Sequence, residues 1–192
     1  SRFMNRGLCW LLCWLLCWPL AASAADDTLT TVMQRLAEVK TVEAHFQEEK
    51  TLAMLQQPLH SSGELYYRAP AYLRKRTLQP QPEDYTVDGD WLTVEMADGG
   101  RRDLALSGHP QIQPFVEAMR ATQAGDRATL ERFYQVDCAG DAAHWQLRLT
   151  PRDPMATRYL TAIVIQGRHG WIDRIETLEA DGDRSLMTVT PR

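Results

Sequence analysis

The histidines and aspartates are the residues that could perform acid–base or metal chemistry, and their spacing does not gather them into a site. The five histidines occur singly, at His45, His60, His109, His144 and His169. No pair has the His-Glu-x-x-His spacing that presents two imidazoles to zinc from one helix. Neither the Gly-x-Ser-x-Gly turn of a serine nucleophile nor a glycine-rich phosphate loop occurs. We therefore expect no enzyme activity, no catalytic residue, no metal site and no cofactor.

The aspartates and cysteines add little to this chemistry. Asp88, Asp90 and Asp98 lie in turn sequences such as "VDGD" and "ADGG", where aspartate ordinarily forms the turn. Three of the four cysteines fall within the first 17 residues, which leaves Cys138 alone in the rest of the chain. A single thiol forms no internal disulfide and no cysteine metal cluster. We interpret Cys138 as a small buried apolar residue.

The N-terminal segment predicts export. Arg2 and Arg6 precede an uncharged apolar run over residues 8–20, and the small residues "ASA" follow at positions 22–24. This order is typical of a secretory signal peptide, and the run is short for a bilayer-spanning helix, which needs about 20 apolar residues. We expect residues 1–24 to be removed and residues 25–192 to form a single domain; an uncleaved membrane anchor is the alternative. The scarcity of cysteine favours the bacterial periplasm as the destination.

The charge balance argues against nucleic acid as a partner. The formal net charge of the full sequence is −4. The predicted signal peptide contains two arginines and no acidic residue, so its removal changes the charge to −6. A nucleic-acid-binding domain would instead carry a basic patch or stripe.

Hydrophobic periodicity predicts two helices and many short strands. Leu29, Val32, Met33, Leu36 and Val39 have helical spacing, with Asp26, Asp27 or Thr28 as possible caps, and a second amphipathic helix spans "QIQPFVEAMRATQA" and ends at Gly125. Most other segments, such as "VEAHFQ", "WLTVEM" and "YLTAIVIQG", are typical of strands joined by polar turns, although "ATLERFYQV" is ambiguous. This is a mainly β (α+β) pattern, and we predict an antiparallel barrel or strongly curved sheet with a helical lid over a cavity.

Aromatic and methionine residues are the candidates for the lining of that cavity. Methionine suits surfaces that repack around variable partners, and Met33 and Met119 fall on the apolar faces of the two predicted helices. Simple filling of the core is the alternative role for each residue. The predicted ligand-binding residues of the cavity are Met33, Leu36, Phe46, Leu65, Tyr67, Leu73, Trp91, Phe115 and Met119.

The order of these segments resembles the LolA superfamily of periplasmic lipoprotein carriers. The similarity runs from "VEAHFQ" and "GELYYRAP" through "VDGDWLTVE" and "PFVEAM" to "WQLRLTP" and "GWIDRIETLEADG". The resemblance implies an unclosed antiparallel barrel with a helical lid over an apolar cavity, so that the predicted ligand-binding residues become acyl-binding residues. It also implies a carrier that receives acylated lipoproteins or lipids from an inner-membrane ATP-driven complex and delivers them to an outer-membrane acceptor. We expect the protein to be a monomer. Two other functions stay open: a periplasmic sensor or accessory module that binds lipids or lipoproteins, and a carrier of a free lipid or polyene ester.

The sequence departs from this family at the proline that separates two strand segments. The resemblance implies an inward arginine directly before the proline, which holds the lid closed, but Ala69 precedes Pro70 here. Strand alternation then places Leu65 and Tyr67 inward with Ala69 and turns Arg68 outward, unless a bulge reverses the faces. Arg68 and the inward Lys75 are the candidate latches. The sequence also ends soon after the last matching strand, from which we expect a different acceptor or a different cargo.

Overall fold

The computed structural model describes residues 20–192 of the chain, with side chains from residue 24 onward. Most of the predicted signal peptide, including Cys9, Cys13 and Cys17, therefore lies outside the described residues. The first helix, α1, spans Leu20–Glu38 and begins before the predicted caps. Asp26 lies inside the helix, where its carboxylate pairs with Arg127 at 2.6 Å. None of the described helices is both long enough and apolar enough to cross a membrane.

Eleven strands follow α1 and form a single antiparallel sheet. Two helices, α2 (Gln113–Ala124) and α3 (Arg127–Phe133), interrupt the strands between β6 and β7. The strands are β1 (Thr41–Thr51), β2 (Leu59–Arg68), β3 (Tyr72–Gln79), β4 (Glu83–Asp88), β5 (Trp91–Met96), β6 (Arg101–Ala105), β7 (Tyr134–Gly140), β8 (Trp145–Pro151), β9 (Leu160–Arg168), β10 (Trp171–Glu179) and β11 (Arg184–Pro191).

The sheet is open, and its central strand is the first one in the chain. The strand order is β6-β5-β4-β3-β2-β1-β11-β10-β9-β8-β7, so β1 lies between β2 and β11, and β6 and β7 are the two ends. In every neighbouring pair except β1–β11, the two strands are consecutive in the chain and form a hairpin. The large sheet is therefore built almost entirely from pairings between strands that are close in sequence. The predicted mainly β fold, an unclosed antiparallel sheet with helices, is confirmed.

One face of the sheet is covered by the helices and forms the core with them. Fully buried side chains of α1, such as Val32 and Leu36, pack in one apolar cluster with Phe46, Leu147 and Ile163 of the strands. A second, smaller cluster lies under the start of α2 and is built on Val87, Leu92 and Leu106. The alternation of buried and exposed residues in β1 and β8 is what a sheet with one covered face requires.

The connection between α2 and α3 requires a glycine. Gly125 ends α2 with a left-handed backbone (φ 64°), a conformation that is unfavourable for residues with a Cβ atom. A Cβ atom at this position would lie 2.2 Å from the carbonyl oxygen of Met33 and 2.7 Å from the Cβ atom of Ala37. The predicted end of the second helix thus coincides with the point where α2 approaches α1.

The segment around Pro70 keeps the alternation of β2 intact. Leu65 and Tyr67 are buried, whereas Arg68 is exposed, as the alternation of strand faces predicts. The Ala69–Pro70 peptide bond is cis, and the backbone N–H of Ala69 donates to the carbonyl of Lys40 at 2.8 Å. The irregularity in the β2–β3 pairing lies at Ser62 and Gly63, away from the proline. The bulge that would have reversed the faces is therefore not at this position.

Candidate functional site

An apolar cavity lies between the central strands and helix α2. One wall is a row of cross-strand neighbours in the sheet: Val42 of β1 is paired with Tyr67 of β2, and Tyr67 is paired with Leu73 of β3. Met119 and Gln123 of α2 close it from above. The remaining wall comes from β10 and β11, and its residues are Trp171, Ile172, Ile175, Val189 and Pro191. The cavity thus spans the centre of the sheet, where β1 joins the two halves of the chain.

The cavity is small in this closed arrangement. Its volume is about 50 Å³, whereas pockets that bind drug-sized ligands measure about 300–1,000 Å³. Among the described residues, no lining side chain carries a charge. The indole of Trp171 is 44% exposed and marks the edge of the cavity. A long apolar ligand therefore requires the helix and the sheet to move apart.

Four of the predicted acyl-binding residues line this cavity: Leu65, Tyr67, Leu73 and Met119. Both clusters of the core contribute to it, since Leu73 packs against the smaller cluster and Leu65 belongs to the larger one. The β2–β3 hairpin positions three of the four residues, and the helical spacing of α2 positions the fourth.

The other predicted residues lie elsewhere. Leu36 (0% exposed), Phe46 (1%) and Met33 (4%) are packed inside the larger core cluster, and Phe115 packs against it. Trp91 begins β5 after a two-residue turn and is 60% exposed, outside the cavity. Periodicity predicts which face a residue occupies, but it does not distinguish a cavity wall from solid core.

The two predicted latches make contacts within the sheet. The ammonium of Lys75 bonds the carboxylate of Glu48 at 3.0 Å and lies 5.1 Å from the centre of the Phe46 ring. The guanidinium of Arg68 lies 4.5 Å from the centre of the Tyr72 ring. In the described part of the chain, neither cation makes a hydrogen bond or an ion pair with a helix.

Helix α2 is instead attached to the sheet by its own arginine. The Arg120 guanidinium donates to the carbonyl oxygens of Ala71 (3.1 Å) and Gly89 (2.5 Å), which lie in the β2–β3 and β4–β5 turns. It also pairs with the Glu117 carboxylate one turn earlier in α2. The Arg120 and Glu117 side chains are 11% and 8% exposed. This buried polar contact is the direct connection between the lid helix and the turns on one side of the cavity.

Sequence reasoning missed Arg120, and it also missed the β10 and β11 wall. The alternation in "WIDRIETLE" indicated a strand, and Ile172 and Ile175 were visible in it, but nothing in the pattern placed that strand opposite β2. The pairing of β1 with β11 brings the two ends of the domain together and creates the site. Long-range pairing of this kind has no local signal.

Two residues that line this cavity have a buried polar atom with no hydrogen-bond partner among the described residues. These atoms are the hydroxyl oxygen of Tyr67 and the side-chain nitrogen Nε2 of Gln123, in residues that are 4% and 7% exposed. Burial raises the pKa of the Tyr67 hydroxyl above its ordinary value, so this group keeps its proton at neutral pH.

Outside the cavity, one acidic cluster could be considered for a metal ion. Carboxylate oxygens of Glu179, Asp181 and Asp183 lie within 4.8 Å of one another in the β10–β11 turn. Two of these groups have structural partners: Asp183 accepts from the backbone N–H of Ala53 at 2.9 Å, and Asp181 accepts from the backbone N–H of Asp183. These contacts account for the turn, and we assign no metal to it.

Comparison with known proteins identifies what the chain is similar to. A family model described as "Outer membrane lipoprotein carrier protein LolA-like" matches residues 21–190. No curated protein matches the sequence.

Several solved structures have a similar arrangement at low sequence identity. A LolA superfamily protein, NE2245 from Nitrosomonas europaea, is 12% identical, with 86% of this chain and 91% of that chain covered and a TM-score of 0.47. A DUF1329 family protein from Desulfovibrio piger is 13% identical, with 88% and 90% covered and a TM-score of 0.49. MucB from Pseudomonas aeruginosa, solved with MucA, is 15% identical, with 87% and 56% covered and a TM-score of 0.44.

Proposed function

Because the chain belongs to the family of LolA-like outer membrane lipoprotein carrier proteins, we propose that it is a periplasmic carrier of acyl chains. It binds the acyl chains of lipoproteins or lipids without covalent chemistry and moves them from the inner to the outer membrane. The observation that supports this function best is the uncharged cavity between the central strands and a helix that polar bonds attach to the sheet. Non-covalent binding of this kind needs no cofactor.

The energetics of acyl transfer explain why such a cavity is needed. Burial of a CH₂ group is worth about 0.8 kcal/mol, so a sixteen-carbon chain gains roughly 12 kcal/mol when it leaves water. Transfer through water without a carrier is correspondingly slow. A carrier must offset most of this free energy and still release its cargo, so part of the gain must be consumed by a conformational change.

Helix α2 is the element whose movement would provide that change. It contributes Met119 and Gln123 to the cavity and is joined to the sheet through Arg120. A cavity of about 50 Å³ holds only a few water-sized molecules, so loading requires α2 to move outward. The cost of breaking the Arg120 bonds would then lower the net affinity for the acyl chain and permit release.

The proposed location and partners follow from the same function. The chain is exported, and residues 1–24 are removed, so that residues 25–192 act as one domain in the periplasm. An inner-membrane complex supplies the cargo and an outer-membrane acceptor receives it. N-terminal sequencing of the protein from the periplasmic fraction should give a start at or near Ala25; a chain with an intact apolar segment in the membrane fraction would contradict the proposed processing.

Transfer between vesicles tests the proposed function directly. Donor vesicles contain a fluorescent diacylglyceryl peptide, acceptor vesicles contain a quencher, and the rate of quenching is measured with and without the protein. Leu73→Asp places a charge in the cavity wall and should abolish acceleration. Leu78→Asp is the matched control, because Leu78 lies on the opposite, solvent-facing side of β3 and is 39% exposed; it should transfer at the wild-type rate.

The outcomes separate the possible functions. Circular dichroism is used to check whether both variants are folded. If Leu73→Asp fails to fold, Met119→Gln provides a milder change in the same cavity. Binding of the peptide without faster transfer would indicate an accessory or sensing module instead of a carrier. Equal rates for the two aspartate variants would show that this cavity does not hold the acyl chain.

A further inference from the structure

Two residues that line the otherwise apolar cavity each have a buried hydrogen-bonding group with no partner among the described residues. The Tyr67 hydroxyl belongs to β2, and the Gln123 carboxamide belongs to α2, so they reach the cavity from the sheet and from the lid helix respectively. Both residues are more than nine-tenths buried. Thr122 also has an unpartnered hydroxyl, but it does not line the cavity.

Such groups are rare in native proteins because an unpaired buried donor or acceptor is destabilising. Phenylalanine and methionine would fill the same volumes at Tyr67 and Gln123 without this cost. The other tyrosine buried in the core shows the usual arrangement, since the Tyr134 hydroxyl donates to the carbonyl of Pro114. Unpaired groups in a ligand cavity are explained when the ligand supplies the partner.

The donor and acceptor inventory determines what that partner is. The Gln123 nitrogen carries two N–H donors and no acceptor, and the Tyr67 hydroxyl has one O–H donor. Both can donate to one carbonyl oxygen, which has two lone pairs. A carboxylate is the less suitable acceptor, because no cation among the described residues lines the cavity and an unpaired buried charge is strongly unfavourable.

On the premise of the function proposed above, we propose that Tyr67 and Gln123 form a hydrogen-bonding site for the neutral carbonyl group of an acyl ester or amide. This site selects chains that are linked to a cargo and discriminates against free fatty acids. Glycerolipid esters and the acyl groups of lipoproteins share this chemistry. A carbonyl that accepts from both residues also connects β2 to α2, so the cargo itself links the sheet to the displaced helix in the loaded protein.

Displacement of an apolar fluorescent dye from the cavity tests the selectivity. The competitors are hexadecane, methyl palmitate and palmitate at pH 8, each presented below its aggregation limit. We expect methyl palmitate to displace the dye at about thirtyfold lower concentration than either hexadecane or palmitate, since one such bond is worth about fivefold in affinity and two act together. A diacylglyceryl peptide and a diacylglycerol, compared in the same assay, distinguish lipoprotein from free lipid as the source of the carbonyl.

Conservative variants connect the selectivity to the two residues. Tyr67→Phe and Gln123→Met should each reduce the advantage of methyl palmitate over hexadecane by about threefold to tenfold, while hexadecane binding is unchanged. Both variants should also melt at a higher temperature than the wild type in the empty state, because each removes an unpaired polar group. Tyr134→Phe is the matched control: it should lower the melting temperature and leave the ester preference intact.

Failure of this proposal differs from failure of the proposed function. If neither dye nor hexadecane binds, the carrier function is wrong and this proposal fails with it. If both bind but methyl palmitate has no advantage, the carbonyl site is wrong and the carrier function stands. A Tyr67→Phe variant that melts at a lower temperature and retains the ester preference would assign the hydroxyl a structural role and overturn the proposal.

Discussion

Replacement of Arg120 by leucine should make the protein less stable and, at the same time, a better acyl binder. These two effects have separate origins in the structure. The guanidinium donates to the carbonyl oxygens of Ala71 and Gly89 in the sheet, and it neutralises the buried carboxylate of Glu117 within α2. The bonds to the sheet must break when α2 moves, whereas the pair with Glu117 can persist because both residues lie on the same helix.

The expected magnitudes follow from these contacts. Loss of Arg120 leaves Glu117, with a side chain that is 8% exposed, as an unpaired buried charge, and removal of one partner of a buried pair costs about 3–5 kcal/mol of stability. Two hydrogen bonds from a charged donor are worth at least about 1.5 kcal/mol each. If α2 must give up both on opening, their removal favours the open state by about 3 kcal/mol, which corresponds to about a hundredfold gain in acyl affinity.

Urea denaturation measures the first effect, and titration with a fluorescent acyl probe measures the second. The double variant Arg120→Leu/Glu117→Gln separates them: it should recover most of the lost stability and keep the tighter binding. Arg68→Leu is the control, because this exposed cation lies over the Tyr72 ring within the sheet and, in the described part of the chain, has no polar bond to a helix; it should change the affinity by less than about threefold. An Arg120→Leu variant that binds the probe no more tightly than Arg68→Leu does would refute a latch at this position.

Three further predictions concern the helix junction, the pH dependence and the edge of the cavity. Gly125→Ala should lower the free energy of unfolding in urea by about 2 kcal/mol or more, because the position has a positive φ and the new Cβ atom would lie too close to Met33. Gly108→Ala is the control and should be nearly neutral, because no atom lies within 4 Å of its new Cβ atom. Burial, with a smaller contribution from a hydrogen bond to a neighbouring carboxylate, raises the pKa of Tyr85 to about 12. The unfolded state therefore loses this proton first, and the free energy of unfolding should fall as the pH rises from about 10 to about 12. In the Tyr85→Phe variant the free energy of unfolding should fall less steeply over the same range. An acyl chain brominated near one end should quench the Trp171 indole, and a Trp171→Phe variant that shows undiminished quenching would contradict the assignment of that residue to the cavity edge.

The sequence predicts the parts of this fold that local patterns determine. Period-2 alternation identified β1 and β2 and the inward orientation of Leu65 and Tyr67, and the glycine at position 125 marked the end of α2. The ambiguous segment "ATLERFYQV" proved to be both helix and strand, since α3 ends at Phe133 and β7 begins at Tyr134. Each of these features depends on the residue types within a few positions.

The site itself depends on contacts that local patterns do not contain. The wall formed by β10 and β11 faces β2 because β1 pairs with β11, which joins residues at opposite ends of the domain. Arg120 was missed because an arginine in an amphipathic helix is ordinarily interpreted as a solvated residue; here the turns at Ala71 and Gly89 surround it. Trp91 shows the opposite error, since an aromatic residue at a strand start was expected inside and is 60% exposed.

Helix α2 combines the three interactions that an acyl carrier must coordinate. Met119 supplies an apolar wall, Arg120 supplies the attachment to the sheet, and Gln123, which also lines the cavity, supplies an unpartnered hydrogen-bond donor, all within little more than one helical turn. A rigid helix cannot move one of these groups without the others. Outward movement would therefore enlarge the cavity, break the Arg120 bonds and change the position of Gln123 relative to Tyr67 in a single step. The free energy of acyl burial and the cost of opening are thereby coupled through one element, and substitutions at these positions should act non-additively on acyl affinity.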